Sequence, residues 1–287
     1  MGDTIYANMM MVGAAWQNGL IPLSLDALMR AIELNGVKIE ENRKAFTWGR
    51  IASHDPATLE QMLGDGAGKV ADTLDAMIDR RRSFLVDYQD NNLADRYVGL
   101  VQRVREAEAG LEAGSRLTNA TARAWFRLLA YKDEYEVARL HADPAFLEKL
   151  QADFGRKSKL RFHLAPPLLS GKRDARGRPL KREFGAWILP VFRMLARLRR
   201  LRGTPFDVFG YTAERRMERQ LIVEFEETID RILAALDPGT LDGAVEVVEA
   251  FLDIRGFGPV KEEAVAVARE HIAELLSNLE HLEREAA

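Results

Sequence analysis

Residues 69–111 read KVADTLDAMIDRRRSFLVDYQDNNLADRYVGLVQRVREAEAGL. Val70, Leu74, Met77, Ile78, Phe84, Leu85, Tyr88, Tyr97, Val101 and Val104 recur with a period near 3.6, which places apolar side chains on one face of an α-helix. Charged residues fill the positions between them, as on a helix packed against a core. The pattern predicts one long helix, or two broken near Asp90-Asn91-Asn92, whose short polar side chains compete with helical backbone bonding. This stretch sets the fold class: mainly α, a multi-helix domain with long amphipathic helices.

The same pattern continues in both directions. Residues 1–19 predict a helix capped by Asp3 or Thr4, with Ile5, Met9, Val12 and Trp16 at helical spacing and Asn18-Gly19 as its stop. It is apolar nearly all round, which predicts burial against other structure. Ser24 and Asn35-Gly36 bracket a second helix, and Ile39–Ala52 form a third with Phe46 and Trp48 as packing residues. Ser53-His54-Asp55-Pro56 reads as a linker, dividing residues 1–55 from 56–287. Farther on, Thr118 is placed to cap a helix carrying Trp125, Leu128, Leu129, Tyr131 and Tyr135, and Asp143-Pro144 to start another. Thr212–Leu236, Leu241–Leu252 and Val260–Glu283 complete the helices.

One segment departs from helix. Lys159–Leu164 alternates polar and apolar residues and Pro166-Pro167 ends the run, so one small β element is expected near 159–165. Alternation puts Arg161 and His163 on one face, opposite Phe162 and Leu164. Ser170–Arg178 reads as a polar loop, and Phe184–Leu201 as a helix that Pro190 kinks or starts. Residues 156–219 hold 18 basic and 5 acidic side chains, a local charge of +13 in a chain of net −3. From Glu224 onward there are 16 acidic and 5 basic residues, net −11. The simplest use of that asymmetry is acidic C-terminal helices closing over a basic centre.

Composition bounds the chemistry. The 287 residues are 47% hydrophobic and 30% charged, the balance of a globular, water-soluble chain. The absence of cysteine excludes disulfides, thiolate nucleophiles and cysteine-ligated clusters within the chain. No apolar run approaches the roughly 18 residues a membrane span needs. The apolar patch Ile5–Val12 lacks a preceding basic region, so no targeting signal is read and a cytoplasmic location is expected.

Several motifs invite chemistry. Gly64-Asp65-Gly66 followed by Asn91-Asn92 has the spacing with which thiamine-diphosphate enzymes hold magnesium through oxygen ligands. That motif needs a strand before it and a β-α run after it, and the flanking residues read as helix, so we set it aside. Arg255-Gly256-Phe257-Gly258-Pro259 could cradle phosphate ahead of a helix, yet an ordinary interhelix turn explains it as well. His54, His141, His163, His271 and His281 form no metal-binding spacing; only His163, beside Arg161, draws notice, and an exposed polar face accounts for it. Lys132-Asp133-Glu134-Tyr135-Glu136 reads as a solvated helix face. No catalytic constellation is visible. The candidate partner contacts are Arg161, His163, Arg182, Arg193, Arg197, Arg200, Arg215 and Arg216, three of which (193, 197, 200) fall at i, i+4, i+7. Internal neutralisation ranks first for this basic centre, docking of an acidic protein second, and nucleic acid third, since the sequence pI is about 6.1 and aromatic interleaving is poor.

Long strings carry a resemblance: DTIYANMMMVGAAWQNGLIPLS (3–24), RAIELNGVKIEENRKAFTWGR (30–50), LAYKDEYEVAR (129–139), LRFHLAPP (160–167), FGYTAERRMER (209–219) and IRGFGPVK (254–261). They resemble the C-terminal end of the fused bacterial indolepyruvate:ferredoxin oxidoreductases. The resemblance implies that residues 1–55 are the last helices of a gamma-type catalytic domain and 56–287 a helical C-terminal extension. The complete enzymes decarboxylate an aryl 2-oxoacid on thiamine diphosphate with magnesium, pass electrons through 4Fe-4S clusters to ferredoxin, and hand the acyl group to coenzyme A. None of those cofactors is expected on this chain, because the cluster cysteines and the thiamine-diphosphate strands are missing. The chain is therefore expected to be a truncated or split piece, inactive alone. Its expected partners are the remaining domains or subunits, with ferredoxin as a further candidate.

Overall fold

The computed structural model describes residues 4–57, 73–111, 114–155, 159–164 and 182–286. The chain is mainly α with one small two-stranded sheet. It forms two compact units, Met1–Asp72 and Thr73–Ala287.

The first unit holds α1 (Ala7–Gln17), α2 (Leu25–Asn35) and α3 (Ile39–His54), and α3 packs on both others. Ser24 caps α2 by accepting from the Ala27 N–H at 3.2 Å, and Gly36 ends it in the left-handed conformation at φ 68° that glycine tolerates best. Helices α1 and α3 touch backbone to backbone. A Cβ added at Gly13 would lie 2.0 Å from the Phe46 carbonyl oxygen, and one at Gly49 1.8 Å from that of Met10. Beyond this crossing, the buried hydrophobic residues among those described are Tyr6, Ile32, Ala45 and Phe46. Within α1 only Gly13 is buried. Among the described residues the burial expected for this helix, apolar nearly all round, is therefore partial. Met11 is 63% and Leu20 74% exposed.

The second unit is built around α4 (Leu74–Tyr88), α5 (Asn91–Glu108), α6 (Arg116–Leu129), α10 (Ala213–Ala234), α11 (Leu241–Ala250) and α12 (Pro259–Ala286). The break between α4 and α5 falls at Asp90, whose carboxylate caps α5 by accepting from the Leu93 N–H at 3.0 Å. Trp125 of α6 lies at the centre, stacked on Phe225 at 5.3 Å between ring centroids, with Phe251 edge-on to Phe225 at 4.9 Å. Such ring pairs add about 0.5–1.5 kcal/mol beyond the area they bury.

Helix α6 starts differently from the sequence reading. Thr118 lies inside the helix, fully buried. The capping acceptor is Glu108 from the end of α5: its carboxylate accepts from the Leu117 N–H at 2.7 Å, the Thr118 N–H at 2.8 Å and the Thr118 hydroxyl at 2.5 Å. Three donors satisfy a buried carboxylate that would otherwise oppose folding.

A smaller cluster joins α7 (Glu134–Ala142), β1 (Arg161–Leu164), β2 (Arg182–Gly185) and α9 (Leu189–Arg197) around Ala138, Phe162, Ile188 and Phe192. Between α7 and β1 lies α8 (Pro144–Phe154), capped by Asp143. Strands β1 and β2 pair antiparallel, Phe162 opposite Phe184 and His163 opposite Glu183. The strand predicted near 159–165 is therefore half of a pair. The helix predicted over Phe184–Leu201 is shorter, because Phe184 belongs to β2 and Pro190 sits in the first turn of α9, where its missing N–H is harmless. Pro166-Pro167, the Ser170–Arg178 loop and Gly64-Asp65-Gly66 lie outside the described residues.

Candidate docking surface

The eight candidate contact residues do not share one surface. Arg161 and His163 lie on the outer face of β1, as alternation predicts, and Arg161 is neutralised by Glu183 at 2.8 Å. Arg182 pairs across the sheet with Leu164, so it stands on the opposite face from those two. Arg193, Arg197 and Arg200 are exposed in one row along α9 and the 3-10 turn Leu198–Leu201 that follows it. Among the described residues none of the three has an ion-pair partner.

Arg215 does not belong on this surface. It is 7% exposed, bonded to Glu218 and 3.5 Å from Glu134. Burial works to lower its pKa, but Glu218, Glu134 and Glu214 outweigh it and hold the guanidinium above its ordinary value. Lys261 completes the group by donating to Glu218 at 2.7 Å. Its neighbour Arg216 points to solvent.

A buried polar node was not foreseen. Arg202 donates to Asp133 through Nε at 2.5 Å and Nη2 at 2.9 Å, and to the Tyr88 carbonyl at 2.9 Å, with its guanidinium 3.7 Å above the Tyr88 ring. Asp133 also caps α7 through the Glu136 N–H at 2.8 Å. Tyr135 is buried beside it and donates to Asp207, which gathers the N–H groups of Gly203, Phe209 and Gly210. The segment 132–136 is therefore a corner of the core, not a solvated face. Asp133 and Glu136 stand three apart, the spacing of a capping box, and that was the available signal.

The charge asymmetry is used in another way than expected. Acidic residues of α10 pair with arginines of α5, Glu226 with Arg96 at 2.6 Å and Asp230 with Arg103, while Asp242 pairs with Arg116 and Glu224 with Arg269. Among the described residues no ion pair joins an acidic side chain from 224 onward to an arginine of the basic centre. The row on α9 is left facing solvent.

Around α9 the side chains form three sides. Ile188, Phe192 and Leu195 face the small cluster. The arginine row faces away from it. Between them run Trp187, Val191, Met194 and Leu198 at i, i+4, i+7, i+11, all exposed, with Trp187 at 65%.

The other motifs do not assemble a site. Asn91 and Asn92 occupy the first turn of α5, which is not the β-α run a thiamine-diphosphate site needs. In the Arg255–Pro259 turn the Gly258 N–H already donates to the Glu214 carboxylate at 3.2 Å, so a carboxylate of the chain occupies the place offered to phosphate. Among the described residues no group of three or more His, Asp or Glu side chains is placed to hold a metal ion, and no helix is long and apolar enough to cross a membrane. His141, passed over in the sequence, stacks on Phe192 at 5.4 Å and meets Phe162 edge-on at 5.4 Å. Burial, with Lys132 near, lowers its pKa.

Fold and surface together define a mainly helical chain that presents an arginine row and an apolar stripe on separate sides of α9. Residues 74–274 match a family of unknown function, DUF6537, and the chain belongs to that family. No curated protein and no solved structure matches it.

Proposed function

We propose that this chain is the C-terminal structural and docking portion of a 2-oxoacid:ferredoxin oxidoreductase of the indolepyruvate type, with no catalytic residue of its own. One observation supports the reading beyond the sequence strings that suggest it. Among its described residues the first unit leaves Ile5, Met11, Leu20, Leu23, Leu34 and Val37 exposed and buries four hydrophobic residues, Tyr6, Ile32, Ala45 and Phe46. So much exposed apolar surface beside so few buried side chains suits a unit that a partner covers. In this reading the face packs against the rest of the catalytic domain, thiamine diphosphate, magnesium and the 4Fe-4S clusters reside on those partners, and the assembly is cytoplasmic. Co-elution of the purified chain with separately produced thiamine and cluster domains tests it. A complex is expected at micromolar concentration and is expected to be lost in Met11→Glu/Leu34→Glu. No complex with the unaltered chain refutes the reading.

A second reading is favoured by the unpaired row Arg193, Arg197 and Arg200: an independent module for an anionic partner, acidic protein or nucleic acid. Binding to DNA or RNA that weakens steeply and log-linearly with salt, and is lost on charge reversal of that row, separates it from the first.

A further inference from the structure

Two helices of the second unit present matching, oppositely charged faces. Along α9 the exposed apolar stripe is Val191 and Met194, extended by Trp187 and Leu198 in the 3-10 turns Ala186–Ile188 and Leu198–Leu201 that flank the helix. On α12 an apolar groove is lined by Val260, Ala264, Val267 and His271, the same i, i+4, i+7, i+11 spacing. Val260 and Val267 are each 63% exposed, and the groove's floor includes Ala250 and Ala268. Each stripe sits about one quarter-turn from the side its helix buries. On α12 that buried side is Val265, Ala268, Ile272 and Leu276.

The charges beside the two stripes are opposite in sign. Arg197 borders the stripe on α9, and Arg193 and Arg200 stand farther round on the same side. Glu263 and Glu270, both exposed, border the stripe on α12 on the corresponding side, and Asp253 and Glu263 line the groove itself. Among the described residues neither Glu263 nor Glu270 has an ion-pair partner. When two right-handed helices meet stripe to stripe in antiparallel sense, corresponding flanks fall on the same side of the contact. The basic side of α9 then falls on the same side as the acidic side of α12, with Arg197 placed as an e or g charge is in a coiled coil and Arg193 and Arg200 adding longer-range attraction.

We propose that α9 of one chain docks antiparallel in the α12 groove of a second copy. The contact is heterologous, so each bound chain still offers one free α9 and one free α12, and association continues into a ring or an open row. Four stripe residues a side make a patch at or below the low end of specific interfaces, about 1,200 Å² in total, so the association is weak and depends on concentration. Like charges facing one another oppose a contact. This inference does not rest on the oxidoreductase reading, and a chain that fails to bind those domains can still self-associate.

Sedimentation velocity on the full chain tests it, over protein concentrations of about 5–200 µM at low ionic strength, where exposed charges are least screened. The unaltered chain is expected to exceed dimer mass at the upper end and to weaken with added salt. Arg193→Glu/Arg197→Glu/Arg200→Glu alone, and Glu263→Arg/Glu270→Arg alone, are each expected to associate at least about tenfold more weakly. All five positions are exposed, so circular dichroism should match the unaltered chain. A chain carrying both sets of reversals is expected to associate as the unaltered chain does, because the charges again oppose. A monomeric unaltered chain, or a combined variant that stays monomeric, overturns the proposal. So does a discrete dimer indifferent to the α12 reversals.

Discussion

Replacing Arg202 by methionine tests whether the Arg202–Asp133 node holds the second unit together. Their side chains are 4% and 3% exposed, so solvent screens the pair little. Arg202→Met removes two bonds to Asp133, one to the Tyr88 carbonyl and the cation over the Tyr88 ring, but leaves an apolar chain of similar length. Asp133 then keeps the Glu136 N–H and carries a buried negative charge without its guanidinium. Breaking a buried pair from one side costs about 3–5 kcal/mol. For a unit of about this size that lowers the melting temperature by about 6–20 °C. Asp133→Asn in the same background removes the orphaned charge and keeps an oxygen for the cap, so it should recover at least about 2 kcal/mol, a coupling that a double-mutant cycle reads directly. Urea unfolding followed by circular dichroism, with hydrogen exchange on peptides covering residues 88–135 to localise the effect, supplies the numbers. A loss below about 1 kcal/mol in Arg202→Met, or no recovery with Asp133→Asn, refutes the reasoning.

Three further outcomes follow from the packing. Because burial depresses the His141 pKa in the folded chain, its neutral form is favoured there; stability from this group is complete above the unfolded value near 6.5 and falls as pH drops through it. His141→Phe should flatten the loss of melting temperature between pH 7.5 and 5.5, and an unchanged slope contradicts the assignment. Gly49→Ala puts a methyl into the Met10 carbonyl and should expose α1 and α3 to hydrogen exchange while α5 and α6 stay protected; equal protection throughout refutes a close crossing. Phe225→Ala removes a ring held between Trp125 and Phe251 and should cost about 3–5 kcal/mol, read by urea unfolding, with a loss under about 1 kcal/mol counting against a packed centre.

The helices were legible because most of them bury a single face. Tyr88, Tyr97, Val101 and Val104 keep the helical period and are all buried, and Asn35-Gly36 and Asp143-Pro144 mark their boundaries by backbone preference alone. The second strand was hidden, since Arg182–Gly185 is four residues long and joins the first only across a register that nothing in the segment encodes. The same limit hid the ionic architecture. Arg202 and Asp133 are 69 residues apart, and Arg215 looks like Arg216 until the fold turns one inward. Local charge counts located the basic centre but could not assign its partners, which are chosen by tertiary contact. The arginine row, read as one helical face, runs from α9 into the 3-10 turn that holds Arg200. Its apolar companion went unread, since a helix with two apolar sides has one broad stripe in sequence.

Glu108 carries a consequence for how the chain can be altered. The start of α6 is held by a carboxylate from the end of α5 through the Leu117 and Thr118 amides, a contact that spans the connection between them. An insertion at the exposed Gly114–Ser115 turn leaves that contact and the core packing of Leu111 in place, and each doubling of the connection's length adds only about 0.6 kcal/mol of closure entropy. A reporter peptide or a new pair of termini placed there should leave both helices seated, which makes this connection the place to tag the protein without disturbing either charged face.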